Sequence, residues 1–177
     1  MDMRKIALEL SSEKINHDNV VKQLNFTDEE KILVDIFWTP TFNNSWVIVT
    51  KEMIVKYLEF DEKIAFRKLK DILTNKHKKN GKVIFNRMKY QDYKISKSNK
   101  YNIEMSGSCW KHLLCTVDSK YTPLALNIAL KFYRITMESI KLMQEDAVKR
   151  YLNTSDEYTK EIIQQEILKL TSKLKKL

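Results

Sequence analysis

Glycine, proline and cysteine are almost missing from this chain of 177 residues, with two of each. Gly81 and Gly107 are the whole glycine complement, so no glycine-rich loop can cradle phosphates, which excludes P-loop and dinucleotide-binding chemistry. So few turn-forming residues leave most of the chain to helices. The two prolines each follow a threonine: Thr39-Pro40 is expected to end one helix and Thr122-Pro123 to start another, where a proline loses no needed donor. Cys109 and Cys115 are six residues apart, a poor separation for a mutual disulfide on one helix, and their small number suits a reducing compartment. No run approaches the roughly 18 to 20 apolar residues of a membrane span, and the start MDMRKIALELSSEK lacks the apolar core of a secretory signal. An intracellular, non-secreted protein without a membrane partner is expected.

Positive charge is what the chain has in excess. The formal net charge is +9 and the isoelectric point is near 9.4, which favours an acidic partner such as nucleic acid. The excess is local. Between Arg67 and Lys100 twelve lysines and arginines face only Asp71 and Asp92, so the remainder is close to neutral. Each base that neutralises a phosphate releases counterions and adds salt-sensitive, mostly sequence-independent affinity. The candidate phosphate contacts are Arg67, Lys68, Lys70, Lys76, Lys78, Lys79, Lys82, Arg87, Lys89, Lys97 and Lys100, with Lys111 near the start of a later helix. The competing explanation is a solvated helix face and loop. Phe85, Tyr90, Tyr93 and Tyr101 lie among the charges, placed either to stack on bases or to pack. Lys76 to Lys79 also suits a nuclear import signal.

A chain of this length buries about 70% of its unfolded surface as one domain, or forms a domain with an appended helix. Asn16 to Asn25 predicts a short helix, and Thr27-Asp28-Glu29-Glu30 is a capping box before a helix to about Trp38. Asn43-Asn44-Ser45 turns the chain into a strand at Trp46 to Val49, after which Thr50 caps a helix through Met53, Ile54 and Leu58. A further helix follows Asp61, burying Ile64, Ala65, Leu69, Ile72 and Leu73 and exposing Arg67, Lys68 and Lys70. Asn80-Gly81 leads into Lys82 to Phe85, a third strand or an irregular loop. Tyr93 to Ser96 and Tyr101 to Ser106 predict an antiparallel hairpin, and Ser106 caps a helix that ends near Val117. A long helix then runs from Thr122 to about Tyr151. After a break at 153 to 156, Ile163, Ile167, Leu170, Leu174 and Leu177 take coiled-coil spacing over about two heptads. The alternatives are a helix that folds back on the domain or the start of a longer coiled coil, and these five residues are the candidate homodimer seam. The fold class is α+β and mainly helical, with a small antiparallel β element (the hairpin near 92 to 106 and the short strand) packed with helices, and long C-terminal helices.

Little in the chain promises catalysis. Cys109, His112 and Cys115 stand at three-residue steps, but a tetrahedral zinc needs a ligand from elsewhere, and His17 and His77 are the only other histidines. A cysteine nucleophile would need an oxyanion site that nothing nearby supplies. No catalytic residue, metal or cofactor is expected. Trp38, Trp46 and Trp110 are expected as core anchors.

The order of these segments resembles a family of large DNA viruses. The resemblance rests on Trp46-Val47-Ile48-Val49 with Glu52-Met53-Ile54 and Tyr57-Leu58-Glu59-Phe60. Asp92-Tyr93, Met105-Ser106 and Trp110-Lys111-His112-Leu113-Leu114-Cys115 follow, then Ala125, Ile128, Phe132, Tyr133, Met137, Glu138 and Ile140. These resemble the small N-terminal domains related to phage antirepressors and to the Bro-N and KilA-N modules, especially the version in insect poxviruses and iridoviruses. The match covers positions 45 to 152 as a soft pattern. It departs at Glu59, where that family commonly carries glycine, and at Ala129, where it commonly carries arginine, so no contact of that arginine carries over. The resemblance implies a helical lead-in at 1–42, a family-like domain at 43–152 and a C-terminal helix at 153–177. It also implies a non-enzymatic DNA-binding regulatory or accessory protein, acting on double-stranded DNA in the host cytoplasm or nucleus. The alternative is a virus-encoded interaction module, a homodimeric adaptor or an inhibitor of a host protein, that binds no nucleic acid.

Overall fold

The computed structural model describes residues 2–11, 17–74, 78–79, 82–83, 93–95 and 103–176, and at 8–11, 17–19, 78–79, 82–83 and 176 it describes the backbone alone. It divides into two compact units, Phe26–Ile128 and a second made of Met1–Asn25 with Ala129–Leu177. The lead-in is therefore shared between the two, and the C-terminal helix belongs with the later part of the long helix.

In Phe26–Ile128, Thr27 opens the first helix, α3 (Asp28–Leu33), which follows α1 (Met3–Ser11) and α2 (His17–Gln23) of the other unit. Thr27 Oγ1 accepts from the Glu30 amide at 3.2 Å while Glu30 Oε2 accepts from the Thr27 amide at 2.9 Å, the reciprocal pair that the sequence run predicts. Glu30 is buried, and Asn127 Nδ2 donates to its other oxygen at 3.2 Å, so both carboxylate oxygens have donors.

Thr39-Pro40 does not end this helix. The chain passes from α3 through a π-helical turn at Val34–Trp38 into α4 (Thr39–Phe42). In the widened turn the Thr39 amide reaches back five residues to the Val34 carbonyl. That register admits the ring of Pro40, which would clash with the preceding turn of a regular α-helix. The hydroxyls of Thr39 and Thr41 donate to the carbonyls of Val34 and Phe37, each at 3.3 Å.

The turn at Asn43-Asn44 leads into β1 (Trp46–Val49), and Thr50 Oγ1 accepts from the Met53 amide at 3.3 Å to cap α5 (Lys51–Leu58). Glu59 ends α5 in the left-handed conformation, φ 53° and ψ 36°, where glycine has the advantage. Next come α6 (Ala65–Leu73) and an antiparallel pair of two-residue strands, β2 (Lys78–Lys79) and β3 (Lys82–Val83). The expected strand over 82–85 is present at its first two residues; 84–92 lie outside the described residues. β4 (Tyr93–Ile95) pairs antiparallel with β5 (Ile103–Ser106), as the hairpin reading requires, and the connection at 96–102 lies outside the described residues. β5 is central in the order β1-β5-β4, with Val47 opposite Met105 opposite Tyr93, and Val49 opposite Ile103 opposite Ile95.

Ser106 is both the last residue of β5 and the N-cap of α7 (Gly107–Thr116), accepting from the Cys109 amide at 3.2 Å. With no loop between strand and helix, the backbone of α7 starts hard against α4. The Gly107 amide donates to the Ser45 carbonyl at 3.0 Å, and a Cβ on Gly107 would lie 2.4 Å from Pro40 C and Thr41 N. The core beneath is aromatic. Trp110 is fully buried and stacks on Phe37 at 4.7 Å, and Phe37 meets Tyr57 edge-on at 5.5 Å. Trp38 is buried as expected, but Trp46 is not: 42% of it is exposed, because strand alternation sends it outward with Ile48 (66%) while Val49 points in.

α8 (Thr122–Asn153) starts at its Thr-Pro pair, with Thr122 Oγ1 accepting from the Ser119 amide at 3.2 Å. Its later turns belong to the second unit, where α9 (Glu157–Lys176) packs on them as an antiparallel hairpin. Arg150 pairs with Glu166 at 2.9 Å, Gln144 Nε2 donates to Thr171 Oγ1 at 2.8 Å, and Ile163 and Leu170 are buried around Ala147 with Ile167 alongside. Ile163, Ile167 and Leu170 thus pack against α8 within this hairpin. Leu174 is half-buried, and Leu177 lies outside the described residues.

Candidate nucleic-acid interface

The amphipathicity of α6 places the site. Ala65, Leu69, Ile72 and Leu73 are buried, so the opposite face must carry Arg67 and Lys70 outward, and both are exposed. The turn before the helix is fixed by Asp61 Oδ1, which accepts from the Lys63 amide at 2.8 Å. Lys63 lies in that turn, just ahead of the helix that carries Arg67 and Lys70. These three line a cleft of about 670 Å³ together with Lys51, Glu62, Ala65 and Phe66. Among the described residues Glu62 is the single carboxylate of the lining, and its charge is met by Lys51 Nζ at 2.8 Å. Among the described residues, no side-chain ion pair or hydrogen bond engages Lys63, Arg67 or Lys70. Three like charges at one cleft repel each other, and an anion bound there would relieve that repulsion.

Lys68, also proposed as a contact, is half-buried with its ammonium 4.2 Å over the Phe60 ring, and it does not line the cleft. Lys78, Lys79 and Lys82 lie in the short β2–β3 pair. Lys76, Arg87, Lys89, Lys97 and Lys100 lie outside the described residues. Lys51 and Lys63 were missed by the sequence reading. Asp61 and Glu62 masked Lys63 in a count of charge density, although its spacing from Arg67 and Lys70 was there to be seen. Lys51 reaches the cleft from another helix, which no local pattern announces.

The cysteine and histidine group is ill suited to nucleophilic chemistry. Cys109 is buried, and burial pushes the half-buried Cys115 thiol above its ordinary range, the effect of the Lys111 charge being smaller. Burial also lowers the Lys111 ammonium, with Cys115 opposing, and lowers the His112 imidazole together with the Lys111 charge. Lys111 is half-buried and outside the cleft. Among the described residues no group of three or more His, Cys, Asp or Glu is placed to hold a metal ion, and no helix is long and apolar enough to cross a membrane.

The outer face of the sheet carries Trp46, Ile48 and Lys94, the Lys94 ammonium lying 4.3 Å over the Trp46 ring. No family model, curated protein or solved structure matches the chain.

Proposed function

We propose that this chain is a non-enzymatic DNA-binding regulatory or accessory protein of a large DNA virus, acting in the host cytoplasm or nucleus and gripping the phosphates of double-stranded DNA through its basic face. The observation that carries the reading is the group Lys63, Arg67 and Lys70 at a cleft whose one carboxylate among the described residues, Glu62, is paired with Lys51. Arg67 and Lys70 begin the basic stretch seen in the sequence, and both stand on the exposed face of α6. The resemblance to the Bro-N and KilA-N relatives points the same way. Glu59 adds to it: the position where that family commonly carries glycine has the left-handed backbone that glycine favours.

A combined Lys63→Gln, Arg67→Gln, Lys70→Gln variant tests this. All three side chains lie on the surface, so the melting temperature should hold. Affinity for a random-sequence duplex should fall at least about tenfold, since each charge-assisted contact contributes roughly 1.5–3 kcal/mol. An unchanged affinity would sink the basic-face assignment.

A second reading, a protein-interaction module, is favoured by the exposed Trp46 and Ile48 on the sheet. A partner held there by apolar contacts should resist salt and ignore the three glutamine substitutions.

A further inference from the structure

The basic face of α6 is concave where it meets Lys51, a shape that a strand end fills more completely than the side of an unbroken duplex. A duplex backbone is a convex rod whose internal phosphates carry one charge each and offer two free oxygens. A strand end is different: a terminal phosphomonoester carries about −1.5 to −2 charges at neutral pH and presents three acceptor oxygens. The cleft of about 670 Å³ falls within the roughly 300–1,000 Å³ of small-ligand sites, enough for one terminal nucleotide. Lys63, Arg67 and Lys70 supply three positive charges at its lining, Glu62 is held by Lys51 at 2.8 Å, and Phe66 adds apolar surface for the sugar or base. Arginine can fork onto two phosphate oxygens while the two lysines act as point charges.

We infer that this cleft seats the terminal phosphomonoester of a nucleic-acid strand, an end-binding site within the basic face; the inference rests on the nucleic-acid reading above. Internal phosphates still meet the basic face, and the cleft adds further affinity where a phosphorylated end is present. The charge count favours the dianionic end, because a single phosphodiester would leave most of the positive charge at the cleft unmatched.

The test uses the full chain and short labelled duplexes that differ only at one end, carrying a 5′-phosphate, a 3′-phosphate or a hydroxyl, read by fluorescence anisotropy. A nucleoside monophosphate serves as a competitor. The phosphorylated ends should bind about tenfold more tightly, the equivalent of one charge-assisted hydrogen bond. That advantage should vanish in Arg67→Gln and in Lys70→Gln and survive in Lys68→Gln, which removes the same charge from the same helix beside Phe60. Equal binding of phosphorylated and hydroxyl ends overturns the end site while leaving the DNA-binding reading intact. An advantage that persists in Arg67→Gln and Lys70→Gln places the end elsewhere and also overturns it. A mononucleotide that competes at the same concentration as the phosphorylated strand reassigns the cleft to free nucleotides. Failure of every duplex to bind overturns both proposals.

Discussion

Replacing Gly107 with alanine sets two effects of opposite sign against each other. Within a helix, alanine is favoured over glycine by about 1 kcal/mol, so a view of α7 alone predicts a slightly more stable protein. The packing predicts the reverse. An added Cβ meets Pro40 C and Thr41 N at 2.4 Å and Pro40 O at 2.7 Å, all backbone atoms with no side chain able to swing aside. Carbon atoms prefer about 3.5–4.0 Å, so α4 and α7 must separate by roughly 1 Å. The separation strains the 3.0 Å bond from the Gly107 amide to the Ser45 carbonyl and opens the stack of Trp110 on Phe37. Overpacking of this kind costs about 1–3 kcal/mol and occasionally more, and with no route of relief a net loss near 2 kcal/mol is expected. For a unit of this size each kcal/mol moves the melting temperature by about 4–8 °C, so thermal unfolding followed by circular dichroism should show a drop of about 8–16 °C. The exposed neighbour Ser108→Ala is the control and should change stability by less than about 0.5 kcal/mol. A Gly107→Ala protein that melts at or above the parent temperature would refute the close approach of α4 and α7.

Glu59 holds a strained backbone but its carboxylate accepts from the Lys120 amide at 2.8 Å. Glu59→Ala loses the bond and keeps the strain, whereas Glu59→Gly loses the bond and relieves it, so the glycine variant should be the more stable by about 1 kcal/mol in denaturant titration. In the hairpin of α8 and α9, Leu170→Ala should cost about 2–5 kcal/mol, whereas Leu168→Ala, at an exposed position, should change stability by less than about 0.5 kcal/mol. Thiol titration at pH 8 should find Cys115 slow in the native protein, because burial raises its pKa and keeps it protonated, and Cys109 slower still; denaturant should make both react at once. Rapid native labelling of Cys115 would contradict its burial.

The segments written in short-range signals were legible. Thr27, Thr50 and Ser106 cap because a hydroxyl beside an apolar run has one nearby set of unpaired amides to serve, and the burial stripe of α6 follows from spacing alone. The unread features turn on backbone geometry that no short residue pattern spells out. Pro40 continues a helix because a π turn precedes it, Gly107 is required because a second helix crosses its backbone, and Trp46 is exposed because the pleat turns it away from Val49's side. Half of the cleft followed the same rule: Arg67 and Lys70 were found by charge density, while Lys51 needed the placement of α5 beside the start of α6.

Binding of the full chain to a labelled random-sequence duplex across about 50–200 mM salt, beside the Lys63→Gln, Arg67→Gln, Lys70→Gln variant, tests the central claim most directly. The parent should bind with an affinity that falls steeply with salt, and the variant should lose about 0.9 in the slope of log K against log salt for each phosphate contact removed. Binding that is absent at low salt, or a slope identical in the two proteins, would contradict phosphate contact through this helix face.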